Sequence, residues 1–161
     1  MASIIARTVG IALLALAANF TADADAGVAL AADTVMSKDA PDLTAVRAKI
    51  KAKDFSGATA DLTKLTETVQ HADVYSLLGF SLRKSKDYKS AYTFYQKALE
   101  FDPKHLGAHE YLGELYVETG QPAKAKDMLA KLVVLCPTGC EEREDLEAAI
   151  SQAAKTPPAK P

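Results

Sequence analysis

Cys136 and Cys140 are the only two cysteines of the 161-residue chain, and Pro137 and Gly139 break the backbone between them. Two chemistries are open to this pair. In an oxidising compartment neighbouring thiols form a bridge, and a loop this small contributes on the order of 2 kcal/mol through the entropy of the unfolded chain. The alternative is a C-x3-C thiol site for copper or redox exchange, with a helix N-terminus stabilising a thiolate. Glu141, Glu142, Glu144 and Asp145 follow at once, and carboxylates oppose a further negative charge on sulfur. A structural disulfide between Cys136 and Cys140 is therefore the expected state.

Glu110, Glu114 and Glu118 recur every fourth residue, which puts them in one ridge along a helix. Like charges at this spacing cost roughly a few tenths of a kcal/mol per pair. A solvated helix face is the plain reading; a face that holds a basic peptide with salt-sensitive affinity is the other. His71, His105 and His109 are the only histidines. His105 and His109 have a spacing that can chelate a metal on one helix, but no third ligand accompanies them, so packing is the expected role and no metal or cofactor is assigned. The chain contains no G-x-S-x-G, H-E-x-x-H, phosphate-cradling glycine loop or C-x-x-C-H haem motif. The expected protein is not an enzyme.

The elements that position these residues come from an internal repeat. Pro103 and Pro137 lie 34 residues apart, and the residues between them fall into one register. Tyr75, Leu78, Gly79 and Leu82, then Ala91, Tyr95, Ala98 and Pro103, are answered by His109, Leu112, Gly113 and Tyr116, then Ala125, Leu129, Leu132 and Pro137. Small residues suit close helix crossings, leucines at spacings of three and four make an apolar stripe, and the prolines close the second helices. One hairpin cannot bury that stripe alone, so hairpins must stack. The turn Lys53-Asp54-Phe55-Ser56-Gly57-Ala58 echoes Lys86-Asp87-Tyr88-Lys89-Ser90-Ala91, which marks a degenerate hairpin upstream, with Leu43, Val46 and Ile50 in its first helix. Downstream, Leu146, Ala149, Ile150 and Ala153 share one face of a capping helix that Thr138 or Gly139 is expected to begin.

Composition and ends complete the reading. Lys and Arg number 19 against 21 for Asp and Glu, a formal charge of −2, which lacks the basic stripe of a nucleic-acid binder. Arg7 precedes the apolar run Val9 to Ala18, followed by A-x-A sites ending at Ala26 or Ala31; the run is too short to span a bilayer and reads as a signal peptide. The expected layout is a signal peptide over 1–26, a linker over 27–38, hairpins over 39–70, 72–105 and 106–139, a cap over 140–154 and a disordered proline-rich tail over 155–161. The mature chain carries no membrane span and is periplasmic or secreted.

These residues resemble the tetratricopeptide repeat family, with two matched units over 72–137 and a degenerate one before them. Tyr111 to Tyr116 together with Cys136 to Glu142 is similar to small exported tetratricopeptide proteins of alphaproteobacteria. The resemblance implies an all-α stack of antiparallel hairpins in a right-handed superhelix with a C-terminal capping helix. It further implies a concave face, lined by the first helix of each hairpin, that holds a protein or peptide partner. That face would carry Ser76, Phe80, Arg83, Lys84, Glu110, Glu114 and Glu118. Some members grip a C-terminal carboxylate with Lys, Arg and Asn there; Ser76, Phe80, Glu110 and Glu114 stand in their place, so tail recognition of that kind is not implied. The expected function is a non-enzymatic binding scaffold in the cell envelope, with a thiol or copper handling protein and a structural subunit of an envelope complex as alternatives.

Overall fold

The computed structural model describes residues 40–155, and all its regular structure there is helical. Seven helices follow one another: α1 (Thr44–Lys51), α2 (Phe55–Leu65), α3 (Ala72–Lys84), α4 (Tyr88–Phe101), α5 (Leu106–Glu118), α6 (Pro122–Leu135) and α7 (Glu141–Lys155). They pack as consecutive hairpins, α1 on α2, α3 on α4 and α5 on α6, with α2 meeting α3, α4 meeting α5 and α6 meeting α7. First helices also touch across hairpins, α3 with α5 and α5 with α7. The expected signal peptide, the linker and residues 156–161 of the expected tail lie outside the described residues.

Local chemistry explains where each hairpin turns. Lys53, Lys86 and Gly120 all have positive φ, at 61°, 68° and 72°. A left-handed residue reverses the chain after one helix, and the next residue begins the following one. Asp54 and Asp87 accept from the backbone N–H of Gly57 and Ser90 at 2.9 and 3.1 Å, capping α2 and α4. In the third hairpin Pro122 takes the first helical position and needs no donor partner. The echo between the Lys53-Asp54 and Lys86-Asp87 turns is thus an identity of backbone conformation.

The leucine register is also a packing register. Leu78, Leu112 and Leu146, successive members of the 34-residue series, are 1%, 2% and 0% exposed. Fully burying such a side chain is worth about 1.5–3 kcal/mol, so α7 docks by the same residue that anchors α3 and α5. Leu43, just before α1, and Val46 of α1 are buried with Ala58, Leu62, Val74 and Leu78, and Ile50 packs against them. The α7 start differs from the expectation: Cys140, rather than Thr138 or Gly139, borders the helix, and its carbonyl accepts from Glu144 N–H. Cys136 ends α6, and its sulfur lies at bonding distance from that of Cys140, with Cα atoms 6.0 Å apart. The bridge thus joins the end of α6 to the entrance of α7. The helix also includes Lys155, a residue expected to open the tail.

The two repeat glycines are tight for different reasons. A Cβ on Gly79 would stand 2.6 Å from the Tyr95 ring and 3.2 Å from the Ala91 carbonyl, both on α4. A Cβ on Gly113 would meet Leu146 of α7 instead, at 2.5 Å. In a helix interior Gly→Ala ordinarily gains roughly 1 kcal/mol, whereas overpacking costs about 1–3 kcal/mol. Tyr95 is fully buried and cannot swing aside, so the clash decides the sign. Gly79→Ala is expected to lower the melting temperature by several degrees despite its better helix propensity; a melt at or above wild type would show that α3 and α4 are not in this contact.

Candidate functional site

The face shared by α3 and α5 carries two stripes, Ser76, Phe80 and Arg83 on α3 and Glu110, Glu114 and Glu118 on α5. The Arg83 side chain is only 1% exposed. Its Nε donates to Tyr95 Oη at 3.2 Å, its Nη1 donates to Glu118 Oε1 at 2.5 Å, and its Nη2 donates to Glu114. The guanidinium also faces the Phe80 and Tyr111 rings, at 5.4 and 6.0 Å from their centroids. An isolated buried charge costs several kcal/mol; three acceptors and two ring faces offset that here. Burial alone would lower the Arg83 pKa, but Tyr95, Glu114 and Glu118 outweigh it and the net shift is upward.

This geometry corrects two expectations. Arg83, expected on the groove face, is buried, with three of its five donors committed inside the stack. The glutamate ridge is not a solvated face either: Glu114 and Glu118 have side chains 23% and 27% exposed and both close on Arg83. Burial raises the Glu118 pKa, but Arg83 and Lys86 outweigh that and hold it below its ordinary value. Ser76 is buried as well, with its hydroxyl unpartnered. What remains on the surface is Lys84, whose ammonium lies 5.1 Å from the Phe80 centroid, and the half-buried ring pair Phe80 and Tyr111, with centroids 4.9 Å apart.

Glu110 stands alone. It is 7% exposed, and no ion pair reaches it among the described residues. Burial pushes its pKa up to about 8, reinforced by Glu114, Asp145 and Glu142 and opposed by Arg83. Burial likewise lifts the neighbouring Tyr111 to about 12, with Glu110 and Glu114 adding to it and Arg47 of α1 opposing. The first helices of all hairpins, and α7, therefore contribute to one electrostatic neighbourhood.

The histidines do local structural work. His71 and His105, 34 residues apart, each accept at Nδ1 from the backbone of the helix that follows, His71 from Asp73 at 3.1 Å and His105 from Ala108 at 3.0 Å. With Nδ1 accepting, His105 Nε2 carries the proton and donates to Asp73 Oδ1 at 2.8 Å. That bond holds the Asp73 pKa below its ordinary value. His109 is buried, and its Nε2 donates to the Pro103 carbonyl at 2.9 Å. No group of three metal-ligating side chains occurs among the described residues.

Sequence reasoning placed Tyr95 as a packing residue and missed its hydroxyl; it did not bring Tyr111, Glu142 or Asp145 to this face, and it missed Asp73. A signal existed for the central contact. Arg83 precedes Glu114 and Glu118 by 31 and 35 residues, bracketing the repeat length, so one cation and two anions share a level in successive units.

Residues 82–134 match the family model described as tetratricopeptide repeat. Over 73 residues the chain is 29% identical to an uncharacterized protein, ycf37, of Guillardia theta. That match covers 45% of this chain and 41% of the relative, so the chain spans about two fifths of that protein's length.

The pKa of Glu110 gives the site a measurable signature. A folded-state value near 8 against an ordinary 4.5 means that the folded protein holds this proton more tightly than the unfolded chain. The stabilisation is complete below about pH 4.5 and is lost as pH rises through about 8. Glu110→Gln is therefore expected to come close to wild type near pH 4.5 and to exceed it by several kcal/mol, up to about 4–5, at pH 9, read by urea unfolding at both values. Equal stability at pH 9 would mean that Glu110 is solvated.

Proposed function

We propose that the chain is a non-enzymatic scaffold of the cell envelope that holds a protein or peptide partner on the face formed by α3 and α5. Tetratricopeptide repeat domains are generally binding rather than catalytic modules, and the match over residues 82–134 supports that class. The observation that carries the choice of face is the Phe80 and Tyr111 ring pair. It bridges two hairpins at 4.9 Å, keeps part of its surface open, and sits beside the unpaired Glu110. An aromatic platform with one buried carboxyl group beside it offers a partner both contact area and a specific polar contact.

Export is part of the proposal. It rests on the leader-like pattern of residues 1–26 and on Cys136 and Cys140 at bonding distance, a state that oxidising compartments sustain. The bridge supports a structural role for the cysteines over copper or thiol exchange. One observation favours the reading as an envelope-complex subunit: Val133 and Val134 of α6 are 41% and 78% exposed, on a second helix rather than a first.

Site-specific photo-crosslinking in the native envelope separates these readings. A photoreactive residue at Phe80 is expected to yield a discrete adduct that a second one at Val134 does not. The adduct should persist when Cys136 and Cys140 are both replaced by serine. Adducts from Val134 alone would favour the subunit reading, and loss of the adduct in the serine variant would return the thiol reading.

A further inference from the structure

The Arg83 contacts fix how α3 and α5 are aligned. Arg83 meets Glu114 and Glu118, 31 and 35 residues further on, and two turns back along both helices the same offset sets Ser76 against residues 107–111. Glu110, 34 residues after Ser76, falls at that level. Positions 76 and 110 of adjacent hairpins thus stand at one level of the stack. Ser76 is 1% exposed and its hydroxyl is buried without a partner, and Glu110 is 7% exposed with no ion pair among the described residues.

Leaving the Ser76 hydroxyl unpaired costs about 1–3 kcal/mol, and a buried polar group kept at that cost calls for an explanation. The sign of the missing group follows from its surroundings. Glu114 on α5 and Glu142 and Asp145 on α7 add negative potential at Glu110, and Arg83 on α3 is the described cation that opposes it. Arg83 is already shared by Glu114 and Glu118. A further anion is excluded, and a neutral donor would leave uncompensated the charge that Glu110 takes up as pH rises through about 8.

We propose that Glu110 and Ser76 form a subsite for the primary ammonium of a lysine side chain on a bound peptide. An ammonium has three donors and no acceptor, which suits two carboxylate oxygens and one hydroxyl oxygen. The four-carbon stem then lies along the Phe80 and Tyr111 rings. The Glu110 side chain has free rotors, so its carboxylate can turn toward an ammonium that enters from the groove and leave the Ser76 hydroxyl accessible to it. The inference rests on the proposed binding face and adds a residue-level specificity to it.

The probe is N-acetyl-lysine methylamide, titrated into the full chain carrying carbon-13 at its glutamate carboxyls, with N-acetyl-norleucine methylamide as the uncharged control. At pH 9 the Glu110 carboxyl signal is expected to shift saturably, with a dissociation constant on the order of 10 mM, as suits one charged contact. The affinity should fall at least about fivefold at pH 6.5, where Glu110 keeps its proton. Glu110→Gln, which preserves shape and should fold well, is expected to abolish the response, and Ser76→Ala to weaken it about threefold. No saturable shift with the lysine compound, an equal shift with the norleucine compound, or a response that survives Glu110→Gln would overturn the assignment. If that happens while the Phe80 crosslink persists, the ammonium subsite falls and the binding face stands; loss of both removes the face itself.

Discussion

A guanidinium with almost no exposure is the contact on which the arrangement of this stack depends. Arg83 belongs to α3, takes a hydroxyl from α4 through Tyr95, and takes two carboxylates from α5 through Glu114 and Glu118. Apolar burial is nearly non-directional and tolerates small slides of one helix over another. A planar fork with three fixed acceptors does not, so the axial alignment of successive hairpins is set at Arg83. The position of Phe80 beside Tyr111, and of Ser76 level with Glu110, follows from that alignment.

The rest of the fold repeats one packing step. Each second helix leans on the next first helix, and each first helix presents a leucine of the same series: Leu78, Leu112 and then Leu146. α7 is best understood as the first helix of a further unit without its partner. It keeps the leucine, replaces the small residue of that register with Glu147, and turns acidic residues outward. A stack that ends this way buries its last apolar stripe and offers solvent a polar face. The bridge at Cys136 and Cys140 stands where α7 would otherwise be held only by its own packing.

What could be read from the sequence was what repeats with the chain. Gly79, Ala91, Leu112, Pro137 and the Lys86-Asp87 turn are legible because a close crossing, a buried stripe, a helix end or a reversal demands a similar residue type each time it recurs. The candidate site was legible only as a set of positions. Arg83, Glu114 and Glu118 were read as separate groove positions, whereas the structure pairs them with one another, since a residue read alone at a groove position looks available. Its true partners lie in the next unit, and the pairing is visible only when charges are compared across the repeat length. The alternation of roles is equally invisible locally: Glu110 differs from Glu114 and Glu118 in its deeper burial and in having no arginine paired with it. The capping by His71 and His105 went unread because histidine caps a helix through a ring nitrogen, outside the usual Ser, Thr, Asp and Asn set.

The central claim, that Arg83 ties neighbouring hairpins through the two glutamates, is tested most directly by a double-mutant cycle. Urea unfolding would be compared for wild type, Arg83→Met, the Glu114→Gln and Glu118→Gln pair, and the combination of all three. Arg83→Met alone should cost about 3–5 kcal/mol, because it strands two partly buried carboxylates. The combined variant should recover part of that loss, giving a coupling energy of at least about 2 kcal/mol. Losses that simply add, to within about 0.5 kcal/mol, would contradict the account and leave apolar packing alone as what aligns the stack.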